Sequence, residues 1–206
     1  MPHRAAELHD ERLEQTVELM CRLGARSVLD LGCGAGLLLH RLLQTGRFQE
    51  LVGLEQNGEA LLQARAMLAQ CQSGSTQLKI LHGSFTESNP ALTGFDAAVM
   101  LETIEHVPPQ SLSLVETAVF GQYRPAALFM TTPNQEYNPL LGLEPGERRD
   151  DDHKFEWSRA RFRAWAGGVA RRNGYRVTFS GIGEWHADAG EPTQTALFTR
   201  ADADAR

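Results

Sequence analysis

The stretch Ser27-Val28-Leu29-Asp30-Leu31 running into Gly32-Cys33-Gly34-Ala35-Gly36 constrains the fold more than any other segment. A short apolar strand enters three alternating glycines and is followed by a leucine-rich run, 36–43, at helical spacing. Such a turn lets the backbone approach a ligand closely. Strand-like and helix-like segments then alternate: strands at 51–55, 77–81, 95–101 and 126–131, with helices at 59–69 and about 111–119. A helix at 7–23 stops at Gly24, another at about 159–172 ends at Asn173-Gly174, and strands near 175–180 and 194–199 close the chain. This alternation predicts an α/β fold with mainly parallel strands and helices on both faces of the sheet.

With 206 residues, the chain has the length of one domain. No apolar run is long enough to span a bilayer, so no membrane association is expected. The N-terminal stretch has no hydrophobic segment of the kind that marks a secretory signal. Cys21, Cys33 and Cys71 are too few and too scattered for a disulfide framework or a CxxC metal site, which suits a reducing cytoplasm. A net charge of −6 argues against a coat for duplex nucleic acid, but not against a protein that grips one end of a strand.

Glycine-rich turns also serve dinucleotide-binding folds, but position 37 is Leu where that fingerprint has its third glycine. Asp30 precedes the first glycine, where it would repel a pyrophosphate and attract an ammonium group. The segment resembles motif I of the class I S-adenosylmethionine (SAM) methyltransferases, which have a Rossmann-like sheet. Asp30, Gly32, Gly34 and Gly36 would then line the cofactor site. Glu55, closing the second strand, is placed to bind two ribose hydroxyls. By the same resemblance, Ser84 and Phe85 would flank the adenine.

After the fourth strand come Glu102, Glu105 and His106. If a helical turn begins there, their i, i+3, i+4 spacing puts them on one face. Two carboxylates and an imidazole suit a divalent cation, and His153, in the irregular stretch 132–157, offers a fourth ligand. A Glu/His pair in this place can equally be a general base and its orienting partner in a metal-independent small-molecule O-methyltransferase. This segment alone leaves both readings open.

Further segments add to the pattern: Thr-Thr-Pro-Asn-Gln-Glu-Tyr-Asn at 131–138, Asp-His-Lys-Phe-Glu-Trp-Ser-Arg at 152–159, and Gly-Glu-Pro-Thr-Gln-Thr-Ala-Leu-Phe at 190–198. Together with 101–106 they resemble the small-RNA 3′-terminal ribose 2′-O-methyltransferases, over about 8–200. The resemblance implies one catalytic domain over 1–206, with a metal-binding and RNA-contacting insertion around 132–157. It also implies that Glu102, Glu105, His106 and His153 hold Mg²⁺ or Mn²⁺, and that the ion binds the 2′- and 3′-hydroxyls of the last nucleotide. The expected partner is an RNA 3′ end, with an RNA-repair protein as a further one. The chemistry is consistent with this: Lys79 and Lys154, 75 residues apart, are the only lysines, so a Lys-Asp-Lys-Glu tetrad is not expected, whereas a cation can lower a hydroxyl pKa.

Residues 148–176 hold eight arginines and Lys154 against four acids, a local net of about +5. Asn134, Tyr137, Arg148, Phe155 and Trp157 are the candidate RNA contacts, the aromatics as stacking faces. Phe162 and Trp165 are expected in the core. Arg161, Arg163, Arg171 and Arg172 are expected on the solvated face of their helix.

Overall fold

The computed structural model describes residues 2–71 and 74–201, with side chains from residue 6 onward. Seven strands form one sheet in the order β3-β2-β1-β4-β5-β7-β6. The strands are β1 Ser27–Leu31, β2 Glu50–Glu55, β3 Gln77–His82, β4 Ala97–Leu101, β5 Ala127–Pro133, β6 Tyr175–Ile182 and β7 Thr193–Arg200. The first five are parallel, and β7 runs antiparallel to both β5 and β6. This is the class I SAM methyltransferase fold. Strand order reverses between β1 and β4, the place where open α/β sheets leave a crevice at their carboxyl ends.

Covering both faces explains the composition of the central strands. β5 is buried at every position and β4 at all but its last, as befits parallel strands sandwiched by helices. α1 Pro2–Arg22, α2 Leu37–Gln44 and α3 Gly58–Leu68 lie on one face, where Leu13, Met20, Leu39 and Leu68 pack with Val28 and Leu51. α4 Leu112–Val115, the turn that continues it, and α5 Arg159–Asn173 cover the other, where Phe120, Phe162 and Val169 pack with Leu29 and Met100. Asn57 caps α3 by accepting from the amides of Glu59 and Ala60, both at 3.0 Å. Ser158 caps α5, which ends at the left-handed Gly174.

Two elements differ from expectation. The helix expected over 111–119 begins as α4 Leu112–Val115 and widens into a π-helix over Glu116–Tyr123, which buries Val119, Phe120 and Tyr123. The 132–157 segment is not an open loop. It holds a 3₁₀ helix, Gln135–Leu141, and is stitched to the sheet by buried polar side chains. Phe162 is buried and Trp165 half-buried, while Arg161, Arg163, Arg171 and Arg172 are exposed. No helix among the described residues is long and apolar enough to cross a membrane.

Candidate active site

The turn after β1 is tied to β2: the amides of Gly32 and Cys33 donate to the Leu54 carbonyl at 2.8 and 3.1 Å. Gly32 has φ +84°, and a Cβ there would lie 2.6 Å from the Thr103 methyl, so no side chain fits. Gly34 has φ +52° and opens onto free space, leaving its backbone bare. Gly36 instead packs the start of α2 against Ala64 and Leu68. Glu55 accepts from the Gly34 amide at 2.9 Å with one oxygen and from the Asn57 amide at 2.7 Å with the other.

Asp30 is buried, and its Oδ2 has no hydrogen-bond partner. Burial, then the nearby Glu55 charge, pushes its carboxyl up to about 7. Phe85 is buried beside Gly32, and the Ser84 hydroxyl bonds Thr86 at 2.7 Å. The glycine turn thus forms a bare-backbone cradle flanked by the Asp30 and Glu55 carboxylates. An orphaned buried carboxylate oxygen fits a cationic ammonium group, and the cradle would repel a phosphate.

The second cluster stands at the end of β4. Here the backbone turns sharply. Glu102 has φ +52°, an uncommon conformation for a side-chain-bearing residue, and a 3₁₀ turn over Ile104–His106 follows. Glu102, Glu105 and His106 are therefore not arrayed on one helical face, contrary to the spacing argument. The left-handed residue breaks the helix before it starts. Glu102 is held by the Thr131 hydroxyl, which accepts from its amide at 3.0 Å and donates to its Oε1 at 2.8 Å. Its Oε2 meets Arg12 of α1 at 3.0 Å.

Glu105, His106 and His153 do come together: one ligand atom from each lies within 4.8 Å of the others. Glu105 is fully buried. Its Oε2 accepts from the Thr132 hydroxyl at 3.0 Å, and its Oε1 has no partner. Burial, reinforced by the Glu102 charge, raises its carboxyl well above the usual range. The two imidazole rings meet edge to face with centroids 4.9 Å apart. Each ring is oriented by a carboxylate: His106 Nδ1 lies 3.1 Å from Asp152 Oδ2, and His153 Nδ1 lies 2.6 Å from Glu156 Oε1. With Nδ1 so engaged, Nε2 is the nitrogen left for a ligand. The Lys154 amide donates to the Glu105 carbonyl at 2.8 Å and pins the loop over the cluster. A buried carboxylate oxygen without a donor, beside two oriented imidazoles, is a donor set that fits a divalent cation. Glu102 lies outside this trio and would have to leave Arg12 to join it.

The RNA contacts expected from sequence are corrected on three counts. Asn134 is fully buried: it donates to the carbonyls of Ala189 and Glu191 at 2.7 and 2.8 Å and caps the 3₁₀ helix through the Glu136 amide. Tyr137 is buried, and Trp157 is a core residue stacked on half-buried Phe155 at 4.2 Å, so neither offers an open face. Only Arg148 stands exposed, donating to the His153 carbonyl at 2.8 Å. The basic stretch is also partly neutralised. Arg149 is inserted among Asn134, Asn138 and Glu156, Arg159 pairs with Glu136, and Arg172 with Glu116. Sequence reasoning missed Arg12, Thr131, Thr132, Asp152 and Glu156. The last two flank His153 closely in sequence and could have been found. Thr131 and Thr132 open the 131–138 segment, and Arg12 is brought in only by the fold.

Residues 28–120 match a family described as a methyltransferase domain. The small RNA 2′-O-methyltransferase of Mus musculus is 36% identical over 203 residues, covering 94% of this chain and 51% of that protein. The chain thus spans about half the length of the curated relatives it matches. The crystal structure of the methyltransferase domain of a bacterial Hen1 (CtHen1-CN) superposes with a TM-score of 0.84 at 34% identity, covering 93% of this chain and 99% of that one. A crystal structure of the small RNA methyltransferase HEN1 gives a TM-score of 0.87 at 30% identity, over 94% of this chain and 26% of that one.

Proposed function

Because the chain belongs to the small RNA 2′-O-methyltransferase family, we propose that it methylates the 2′-hydroxyl of the 3′-terminal nucleotide of an RNA. The methyl donor is SAM and the reaction depends on Mg²⁺ or Mn²⁺. The observation that carries this reading is the unpartnered Glu105 Oε1 grouped with His106 and His153, at the same end of the sheet as the Asp30–Glu55 cradle.

Each residue has a task that follows from its place. Asp30 attracts the donor's ammonium group, Glu55 accepts from its ribose hydroxyls, and bare Gly34 allows close approach. Glu105, His106 and His153 would hold the cation, with Glu102 as a fourth ligand once released from Arg12. A bound divalent ion would lower the pKa of a ribose hydroxyl and fix its direction. Asp152 and Glu156 keep the imidazoles turned inward. Thr132 holds Glu105 in place. A site that grips two vicinal hydroxyls accepts only a free 3′ end. The RNA-repair partner and the cytoplasmic setting are part of the same proposal; the first rests on the sequence resemblance and the second on the sparse, scattered cysteines.

The test is transfer of labelled methyl from SAM to short RNAs that differ only in the last sugar. A 2′,3′-diol end is methylated and becomes resistant to periodate. Ends carrying 3′-phosphate, 3′-deoxy or 2′-O-methyl groups are not. Efficient methylation of a 3′-phosphorylated RNA would contradict the proposal.

A further inference from the structure

A cavity of about 350 Å³ opens at the β6–β7 edge, between the first turns of α5 and the 183–192 loop. It lies apart from both clusters described above. Four features define its chemistry.

Gln194, from β7, lines it and is 5% exposed. Its side-chain nitrogen donates to the carbonyls of Pro133 and Trp157 at 3.0 and 2.8 Å, which fixes the amide's orientation. Its Oε1 is consequently turned away from them, buried and without a donor, an uncommon state for a buried acceptor. Trp185, on the rim, is 65% exposed, so its ring is open to solvent at the cavity. Arg163 lies over the Phe179 ring, 5.7 Å from its centroid. The hydroxyls of Ser180 and Thr195 pair at 2.7 Å on the wall.

This combination suits a flat, polar-edged ring. Trp185 and the Arg163–Phe179 pair supply stacking surfaces, and the Ser180 and Thr195 hydroxyls supply a polar wall. Location favours the same ligand. Gln194 stands directly opposite Thr132 in the β5–β7 ladder, and Thr132 bonds Glu105. One cross-strand step, about 5 Å, therefore separates the strand that braces the catalytic cluster from the cavity wall, a span a single nucleotide can bridge.

We propose that this cavity takes an unstacked nucleobase from the last two positions of the RNA, stacked on Trp185. The inference rests on the reading of the chain as an RNA 3′-end methyltransferase and gives that site its base-holding part. Stacking on one aromatic side chain is sequence-tolerant, so no strong base preference is expected.

The test compares the wild-type chain, Trp185→Ala and Trp185→Phe on two RNAs, one intact and one abasic at its last two positions. SAM affinity is measured for all three as a check on folding. On intact RNA, Trp185→Ala raises KM at least about fivefold, the scale of a lost base–aromatic stack, and Trp185→Phe recovers most of the loss. On abasic RNA the wild type shows a similar rise, and Trp185→Ala adds nothing to it. Wild-type KM for Trp185→Ala on intact RNA, or an equal penalty on abasic RNA, overturns the cavity assignment while wild-type methylation leaves the activity standing. A wild type that methylates no RNA overturns both.

Discussion

His153 presents its Nδ1 to Glu156 Oε1 at 2.6 Å, and that carboxylate is in turn clamped by the Asn138 side chain and the Arg149 amide. Burial acts to raise the Glu156 carboxyl, but these bonds outweigh it and hold the group below its usual range. It is therefore an ionised acceptor that fixes the ring's direction. His106 has a looser counterpart in the exposed Asp152, at 3.1 Å.

The difference between the two carboxylates predicts a graded effect. Orienting partners of metal-bound imidazoles are worth about 10–100-fold in metal affinity. Asp152→Ala should raise the Mn²⁺ concentration needed for half-maximal activity about tenfold and leave the fold intact. Glu156→Ala should raise it about a hundredfold and also lower the melting temperature, because Asn138 and Arg149 lose their acceptor. SAM affinity should be unchanged in Asp152→Ala.

Asp30 predicts a pH dependence of SAM binding. Its carboxyl is raised from 3.8 to about 7 in the folded protein. The native state therefore holds a proton that the unfolded chain releases. This group's contribution to stability is full below about 3.8 and is lost as pH rises towards about 7. A bound ammonium favours the ionised form, so affinity should fall by up to about tenfold per pH unit below about 7 and level off above it. Calorimetry across pH 5.5–8.5, with Asp30→Asn flattening the curve, checks this. A pH-independent affinity in the wild type would remove Asp30 from the cofactor site.

Asn134 should behave as a structural residue. Asn134→Ala leaves two buried carbonyls and the Glu136 amide without their partner, at a cost of roughly 1–3 kcal/mol. The expected result is a melting temperature lower by several degrees. Unchanged stability with weakened RNA binding would restore the sequence expectation of a direct contact.

How far the sequence was legible depended on how local each signal was. The Ser27–Leu31 strand, its glycine turn and the place of Glu55 at the end of the second strand stand where short-range pattern puts them. The cluster of Glu105, His106 and His153 was identifiable by residue type, but its geometry was not. The positive φ of Glu102 and its capture by Arg12, 90 positions earlier, arise from tertiary packing. Aromatics were the main misreading. Trp157 and Tyr137 sit in a polar-looking segment, yet buried bonds through Asn138, Arg149 and Glu156 fold that segment inward and take both rings with it. The exposed ring is Trp185, which no periodicity singles out.

The central claim is that Glu105, His106 and His153 work by holding a divalent ion. Methyl transfer to a 2′,3′-diol RNA, measured after exhaustive chelation and again after adding back Mn²⁺ or Mg²⁺, tests it most directly. The account predicts activity lower by at least about a hundredfold without metal and restored by either ion, the scale on which lost positioning acts, with SAM affinity the same throughout. Full activity in the metal-free protein would contradict it and make the Glu105–His106 pair a general base instead.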